Sequence, residues 1–341
     1  MRTLLEEWLS VLQNVFEKIS THWRMHANRR TFAIALALLA PFLALYMTAL
    51  RPPAEFPAGG IVTIERNESL ADIVAMLERE KVIRSAPALE IIIRVMGGSR
   101  SVVAGDYLFR APHNAWRVAR TIISGDYGIE PVRIYIPAGS TVEEMASIFE
   151  KRMIRFNRDT FIDQALPYEG YLYPDTYFFL PTARESVLVA TLRETFDSKI
   201  APLLSDIEKF GKPVGEIIVM ASLLEREASI YEDKRSIAGV LWKRLDIKMP
   251  LQVDATFVYI IGKGSNQLTL EDLQFDSPYN TYKYKGLPPG PIASPSTDSI
   301  RAAITPTKSN YLFYLADRSG VTHFSATYEE HLRKKRRYLG S

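Results

Sequence analysis

The chain contains no cysteine. Disulfide frameworks, Cys-ligated zinc, iron–sulfur clusters and a Cys nucleophile are excluded together. Histidine is scarce: His22, His26, His113, His323 and His331 are the whole set, and none stand at metal-ligand spacing. No metal and no cofactor is therefore expected. No charge of one sign dominates either. Lys and Arg number 42 against 39 Asp and Glu, a net charge of +3, which is weak for a dedicated nucleic-acid binder. The G-x-S-x-G, P-loop and G-x-G-x-x-G patterns are missing. Long apolar runs are missing with one exception, which excludes a multi-span transporter. With 47% hydrophobic and 24% charged residues over 341 positions, a globular chain of about two domains remains.

The exception is Thr31–Leu50, 20 residues without a charge. At 1.5 Å per residue that length crosses a ~30 Å hydrocarbon core. Pro41 kinks such a helix without forbidding it. Arg24, Arg29 and Arg30 precede the run, and Arg51-Pro52-Pro53 ends it. Basic residues on the N-terminal side place the N-terminus in the cytoplasm. A cleaved signal peptide fits less well: 30 residues precede the run and no clear A-x-A site follows it. Residues 1–23 carry Leu4, Leu5, Trp8, Leu9, Val11, Leu12, Val15 and Phe16, an amphipathic pattern suited to the membrane surface. The expected layout is 1–30 cytoplasmic, 31–50 transmembrane, and the remainder outside the inner membrane. Extracellular polymers are then plausible substrates, whereas ATP and nicotinamide chemistry is not.

Pro52, Pro53, Pro57, Gly59 and Gly60 mark a stiff linker over 51–60. A weak repeat follows. Val62 and Ile64 alternate as a strand, and Ser69-x-x-Asp72 then opens an apolar-periodic helix. About 72 residues later Ile134 and Ile136 alternate, and Thr141-x-x-Glu144 opens another. Residues 61–130 read as a small α/β module, and 131–341 as a larger domain. Helices are expected over 184–204 and 214–228, and a third capping box, Ser229-x-x-Glu232, opens one more. From Met249 the chain reads as strands and loops, with Tyr311–Leu315 as a strand. Arg333–Arg337 form a basic helix face, solvated or touching an anionic envelope polymer. The fold class is α+β.

The helix through Ile217–Leu224 is apolar nearly all round, so it is expected to be buried. It delivers Glu225-Arg226-Glu227. A carboxyl leaving an apolar helix is a candidate for a raised pKa, which suits a general acid. The plainer reading of Glu225 is a charged helix end paired with Arg226. Met249–Thr256 is a polar segment, while Ser277–Tyr282 and Gly286–Ile292 are rich in Tyr, Asn and Pro. Tyr rings stack on pyranose faces and amides bond hydroxyls, so these loops suit sugar; they equally suit a rigid surface loop. His323 or His331 could serve a Ser–His pair, but no serine stands out.

Together these segments resemble the MltG (YceG-like) family of endolytic murein transglycosylases. The resemblance spans about 60–333. It rests on Glu169–Tyr177, Ala221-Ser222-Leu223-Leu224-Glu225-Arg226-Glu227, Leu251-Gln252-Val253-Asp254, Tyr279-Asn280-Thr281-Tyr282 and Gly286-Leu287-Pro288-Pro289-Gly290. It implies a single-pass inner-membrane lyase with a LysM-like module at 61–130 and a periplasmic catalytic domain at 131–341. It implies cleavage between N-acetylmuramic acid and N-acetylglucosamine within nascent peptidoglycan, giving 1,6-anhydro ends. Peptidoglycan strands and the inner membrane are implied partners, with peptidoglycan synthases beside them; nucleic acid is not. The catalytic glutamate, taken as the first of the motif, corresponds to Glu225. Gln252, Asp254 and Asn280 are expected to position substrate or stabilise charge, with Tyr279, Tyr282 and Glu227 beside them in substrate binding. Ala138 replaces a usual Glu, and Ala255 a usual Pro. A lysozyme-like hydrolase pairing Glu225 with Asp254 or Glu227, and a non-catalytic glycan-binding scaffold, remain alternatives.

Overall fold

Helix α1, Arg29–Leu45, runs into a short π-helical stretch, Tyr46–Leu50, which ends at the extended Arg51. The computed structural model describes residues 17, 18, 20, 29–98, 100–264 and 267–340. The amphipathic pattern expected over 1–23 therefore falls almost wholly outside the described residues. Phe32–Leu50 is long and apolar enough to cross a membrane. Its large side chains are exposed, Phe32 at 67% and Leu39 at 63%, so no core among the described residues covers them.

The chain divides into two compact units between Ile129 and Glu130, with α1 in the first. In the first, β1 (Ile61–Ile64) pairs antiparallel with β2 (Gly105–Leu108), Val62 opposite Tyr107. Helices α2 (Leu70–Arg79) and α3 (Ala86–Met96) lie between them in sequence, and α4 (Ala115–Ser124) follows. Ser69 and Ser85 accept backbone N–H bonds at the starts of α2 and α3. Leu77, Leu89 and Ile93 are fully buried under the sheet. The linker is folded onto this core: Phe56 is buried, the Gly59 N–H donates to the Phe109 carbonyl, and the Arg84 guanidinium donates to the Pro52 carbonyl at 3.0 Å.

The second unit opens with β3 (Val132–Tyr135), α5 (Val142–Glu150), α6 (Arg158–Ala165) and β4 (Thr176–Phe179). Here β3 pairs antiparallel with β4, Ile134 opposite Tyr177. Thr141 and Glu144 complete a reciprocal capping box at α5. Four helices follow: α7 (Glu185–Ile200), α8 (Leu204–Phe210), α9 (Val214–Glu227) and α10 (Tyr231–Asp246). The reading of strands and loops after Met249 is corrected, since α11 (Ala255–Ile261) and α12 (Thr297–Ile304) form there. These short helices sit between prolines and lack a long apolar period. The final strands β5 (Phe313–Ala316) and β6 (Thr322–Ser325) form a hairpin, and α13 (Tyr328–Leu339) closes the chain.

All eight residues from Ile217 to Leu224 are buried, as expected for a helix that is apolar all round. Helix α9 packs on α10 and α12, and the Trp242 indole N–H donates to the Ala303 carbonyl at 2.9 Å. The third capping box is not formed. Ile230 occupies the cap position of α10 without a side-chain bond, and Glu232 pairs with Arg235 instead. Two of the sequence motifs meet at Gly170. Its φ is +79°, and a Cβ there would strike the Pro291 ring.

Gly239 in α10 faces the backbone of Thr307 so closely that a Cβ would land on its carbonyl oxygen. Gly239→Ala is expected to cost about 1–3 kcal/mol by overpacking. Denaturant unfolding checks this, and an unchanged midpoint would refute it.

Candidate active site

The C-terminal turn of α9 carries two carboxylates two residues apart. At i and i+2 they leave the helix on different faces, and the structure gives them different surroundings. Glu225 points into protein. Its Oε1 accepts from Lys234 Nζ at 2.8 Å, and the two side chains are only 9% and 5% exposed. Its Oε2 accepts from the Ser296 N–H at 2.7 Å and from its hydroxyl at 2.6 Å. Ser296 caps α12, so the carboxylate also meets the positive end of that helix. Burial pushes the Glu225 carboxyl up, but the Lys234 and Ser296 bonds outweigh it and hold the group below its ordinary value. The raised pKa expected at Glu225 is therefore corrected: burial was rightly read, but its partners come from residues 9 and 71 positions away.

Glu227 points the other way, into a cavity of about 520 Å³, within the range of ligand sites. Gln252, Asp254, Tyr282 and Tyr314 line the same cavity. Glu227 is half-buried. Its Oε2 accepts from the Tyr314 hydroxyl at 2.8 Å, and the Ala255 N–H also donates to it. Burial, with the negative Asp254 nearby, pushes its carboxyl up to about 7. Asp254 in turn accepts from the Tyr282 hydroxyl.

The floor is held by Arg244, which is buried. Its guanidinium donates to the Leu312 and Leu251 carbonyls, each at 2.7 Å, and lies 5.1 Å from the Phe313 ring centre. These bonds fix the segment 250–252 against β5. Gln252 has φ +53°, a left-handed conformation uncommon outside glycine. Its N–H donates to the Thr281 carbonyl at 3.0 Å, and its side chain is exposed toward the cavity. One face of α13 supplies the rim: Tyr328, His331, Lys335 and Leu339 recur at helical spacing along the wall. The basic C-terminal run thus contributes Lys335 to the cavity.

Four sequence candidates meet here: Glu227, Gln252, Asp254 and Tyr282. Three do not line the cavity. Glu225 is locked as described. Asn280 is fully buried and its amide is used within the fold: Nδ2 donates to the Leu273 and Phe275 carbonyls, and Oδ1 accepts the Tyr282 and Lys283 N–H groups. It builds the loop that aims Tyr282, with its amide committed within the fold. Tyr279 packs on Tyr259, ring centres 5.0 Å apart. Sequence reasoning missed Tyr314, for which alternation in a strand gave no chemical signal. It also missed Arg244, whose place among the apolar positions of α10 was a usable one. A second raised carboxyl was missed as well. Burial pushes Glu169 up to about 7, and its Oε2 accepts the Val142 N–H at the start of α5. His323 and His331 are packed on Tyr338 and Phe313.

The depressed carboxyl of Glu225 has a consequence for pH. Its stabilisation is present above the ordinary carboxylate range and is lost as pH falls through it. Glu225→Gln is expected to cost about 3 kcal/mol of stability at neutral pH, because it leaves Lys234 buried and unpaired. The gap to the unmutated chain should close as pH falls below the ordinary carboxylate range, through the lowered value of Glu225. Denaturant melts across pH measure it, and a constant gap would refute the linkage.

The model of the YceG-like family matches residues 62–337. The endolytic murein transglycosylase of Bacillus subtilis is 32% identical over 327 residues, covering 87% of this chain and 90% of its own. That of Streptococcus pneumoniae serotype 2 is 36% identical over 179 residues, covering 51% of this chain and 32% of its own. A crystal structure of a yceG-like protein of Listeria monocytogenes superposes with a TM-score of 0.56 at 31% identity, covering 81% of this chain and 99% of that one. This chain is a member of the YceG-like family.

Proposed function

We propose that this chain is a lyase that cuts within peptidoglycan glycan strands, the endolytic murein transglycosylase activity for which its relatives are named. The bond is that between N-acetylmuramic acid and N-acetylglucosamine, and its cleavage terminates strand growth. One observation carries the chemistry: Glu227, whose carboxyl burial pushes up to about 7, faces a polar cavity beside a second carboxylate, Asp254. We assign the acid–base role to Glu227 rather than to Glu225, the position the family resemblance suggests. A general acid must hold a proton near neutral pH. Glu227 meets that condition and lines the cavity, while Glu225 faces Lys234 and Ser296, whose bonds hold its carboxyl below the ordinary value.

Protonated Glu227 donates to the glycosidic oxygen as the bond breaks. The carboxylate so formed takes the proton of the muramic 6-hydroxyl, whose oxygen closes on the anomeric carbon of its own ring. No water is consumed, and Glu227 ends protonated. The intramolecular hydroxyl needs no activated water because its effective molarity is high. Asp254 stabilises the positive charge of the transition state. Tyr314 fixes the Glu227 carboxyl by donating to it. The same two carboxylates could run a hydrolysis, which would leave reducing ends in place of anhydro ends.

The remaining layout is read with this activity. Phe32–Leu50 anchors the chain in the inner membrane, the basic residues before it keep the N-terminus cytoplasmic, and everything after Arg51 works in the periplasm beside the synthases that supply its strands. Residues 61–130 are assigned as a LysM-like module, supported by the strand–helix–helix–strand order of β1, α2, α3 and β2. Residues 131–341 form the catalytic domain.

Muropeptide mass spectrometry on uncrosslinked strands tests the reading. Anhydro ends are expected from the unmutated chain, and Glu227→Gln is expected to lose about 10²–10⁴-fold in rate. Glu225→Gln, assayed where it remains folded, is expected to keep the unmutated pH profile. A larger loss at Glu225 than at Glu227, with that profile abolished, would return the acid role to Glu225. Reducing ends would make the enzyme a hydrolase.

The acid form of Glu227 is the active one, so kcat/KM is expected to fall as pH rises through about 7. Tyr314 favours the charged form by donating to it. Tyr314→Phe is therefore expected to move this alkaline limb upward. A limb that stays in place or moves down would contradict the assignment.

A further inference from the structure

The weak repeat seen in the sequence extends through a whole module. The strand β1 is followed by two capped helices and the antiparallel strand β2, and β3 is followed by two capped helices and the antiparallel strand β4. The caps Ser69 and Ser85 recur 72 residues later as Thr141 and Asn157. The buried positions of the first helix, Leu70, Ile73, Val74 and Leu77, recur at the same spacing as Val142, Met145, Ala146 and Phe149. In the second helix Leu89 and Ile93 recur as Phe161 and Ala165.

The last strands agree in finer detail. Tyr107 stands opposite Val62 and stacks on Phe109 at 19°, while Tyr177 stands opposite Ile134 and stacks on Phe179 at 20°. Each tyrosine hydroxyl donates to the carbonyl four residues before it, at 2.6 Å to Val103 and 2.7 Å to Tyr173. Strand order, caps, core positions and a side-chain-to-backbone bond all coincide. A shared topology alone would not require the last two.

The two copies differ on the outer face of the sheet. In the first copy Thr63 bonds Asp106 across the strands at 2.6 Å, and the Leu108 N–H donates to the carbonyl of Tyr127 from the segment after α4. In the second copy the outer face carries Arg133, Tyr135 and Phe178, with Tyr135 61% and Phe178 68% exposed. Arg133 stands directly across from Phe178. Arg133, Tyr135, Ile148 and Arg152 line a shallow space of about 230 Å³, on the scale of a sugar ring. No ion-pair partner for Arg133 or Arg152 occurs among the described residues.

We propose that residues 131–180 are a second copy of the 61–109 module, and that the outer face of its sheet binds an anionic glycan strand outside the cleavage cavity. Exposed aromatic rings stack on pyranose faces, and free guanidinium groups pair with the carboxylates that a peptidoglycan strand carries on its muramic residues. The strand that carries this face leads toward the active-site helix. The turn that follows β3 reaches Gly139, where a Cβ would lie 3.5 Å from Arg226 and 3.6 Å from Glu225, and Arg226 lines the cavity. The inference rests on the proposed murein activity: an endolytic cut leaves sugars on both sides of the bond, so the strand must cross surface beyond the cavity.

The test is strand binding by the full chain in detergent, carrying Glu227→Gln so that the ligand survives. Uncrosslinked peptidoglycan strands are compared with neutral chitin oligosaccharides of similar length. Adding Arg133→Ala and Arg152→Ala is expected to weaken binding of the peptidoglycan strands about tenfold, to flatten its salt dependence, and to spare the chitin oligosaccharides. Adding Tyr135→Ala and Phe178→Ala is expected to weaken both ligands. The four side chains are exposed or edge-placed, and an unchanged melting curve confirms the fold of each variant. Unchanged affinity for peptidoglycan strands in both double variants would overturn the inference, as it would if the face were covered by another protein. Absence of strand binding in the Glu227→Gln chain itself would overturn it too. Product analysis of the unmutated chain shows separately whether the murein reading stands.

Discussion

The carboxylate of Glu225 ties together three parts of the second unit. It ends α9, pairs with Lys234 on α10, and takes both donors of Ser296 at the head of α12. Those three helices form the core on which the cavity is built. A buried ion pair of this kind contributes little net stability over an apolar substitute, but losing one partner is costly. Its effect is geometric. With Glu225 fixed on one face of the last turn, Glu227 has one direction left, and that direction is the cavity.

The same turn separates two kinds of carboxyl by environment alone. Glu225 has a cation, a hydroxyl and an amide within bonding distance, which together outweigh its burial. Glu227 has a tyrosine hydroxyl and an amide but no cation, and a second carboxylate nearby. Neighbours of opposite character push the two groups apart in pKa although two positions separate them. Arg226 between them turns away to Glu144, at 2.7 Å, so it neutralises neither.

Much of this architecture was legible in the residues. The apolar run Ile217–Leu224 reads as a buried helix, and Ser69 and Thr141 read as caps, because those signals are local. The Ser229 cap failed because Ile230 takes the position before α10. The choice between Glu225 and Glu227 was not legible, since it is decided by Lys234, Ser296 and Tyr314, which the fold brings in from elsewhere. Asn280 illustrates the same limit. Its amide chemistry suits sugar, yet four backbone groups of its own loop use it first. The repeat was visible as two strand–cap–helix openings, but the tyrosine that completes each copy became comparable only through its pairing with Val62 or Ile134.

The ten residues between Leu50 and β1 leave little slack. Phe56 is buried in the module core, Pro52 is tied to Arg84, and Gly59 is tied to Phe109. A chain of that length left loose would let the first module swing over about 35 Å; packed down, it is a stub. With α1 in a bilayer, the first module rides at a nearly fixed height above the lipid. For a chain anchored in this way, the reach of the first module is close to two-dimensional, confined to whatever lies at that height above the lipid.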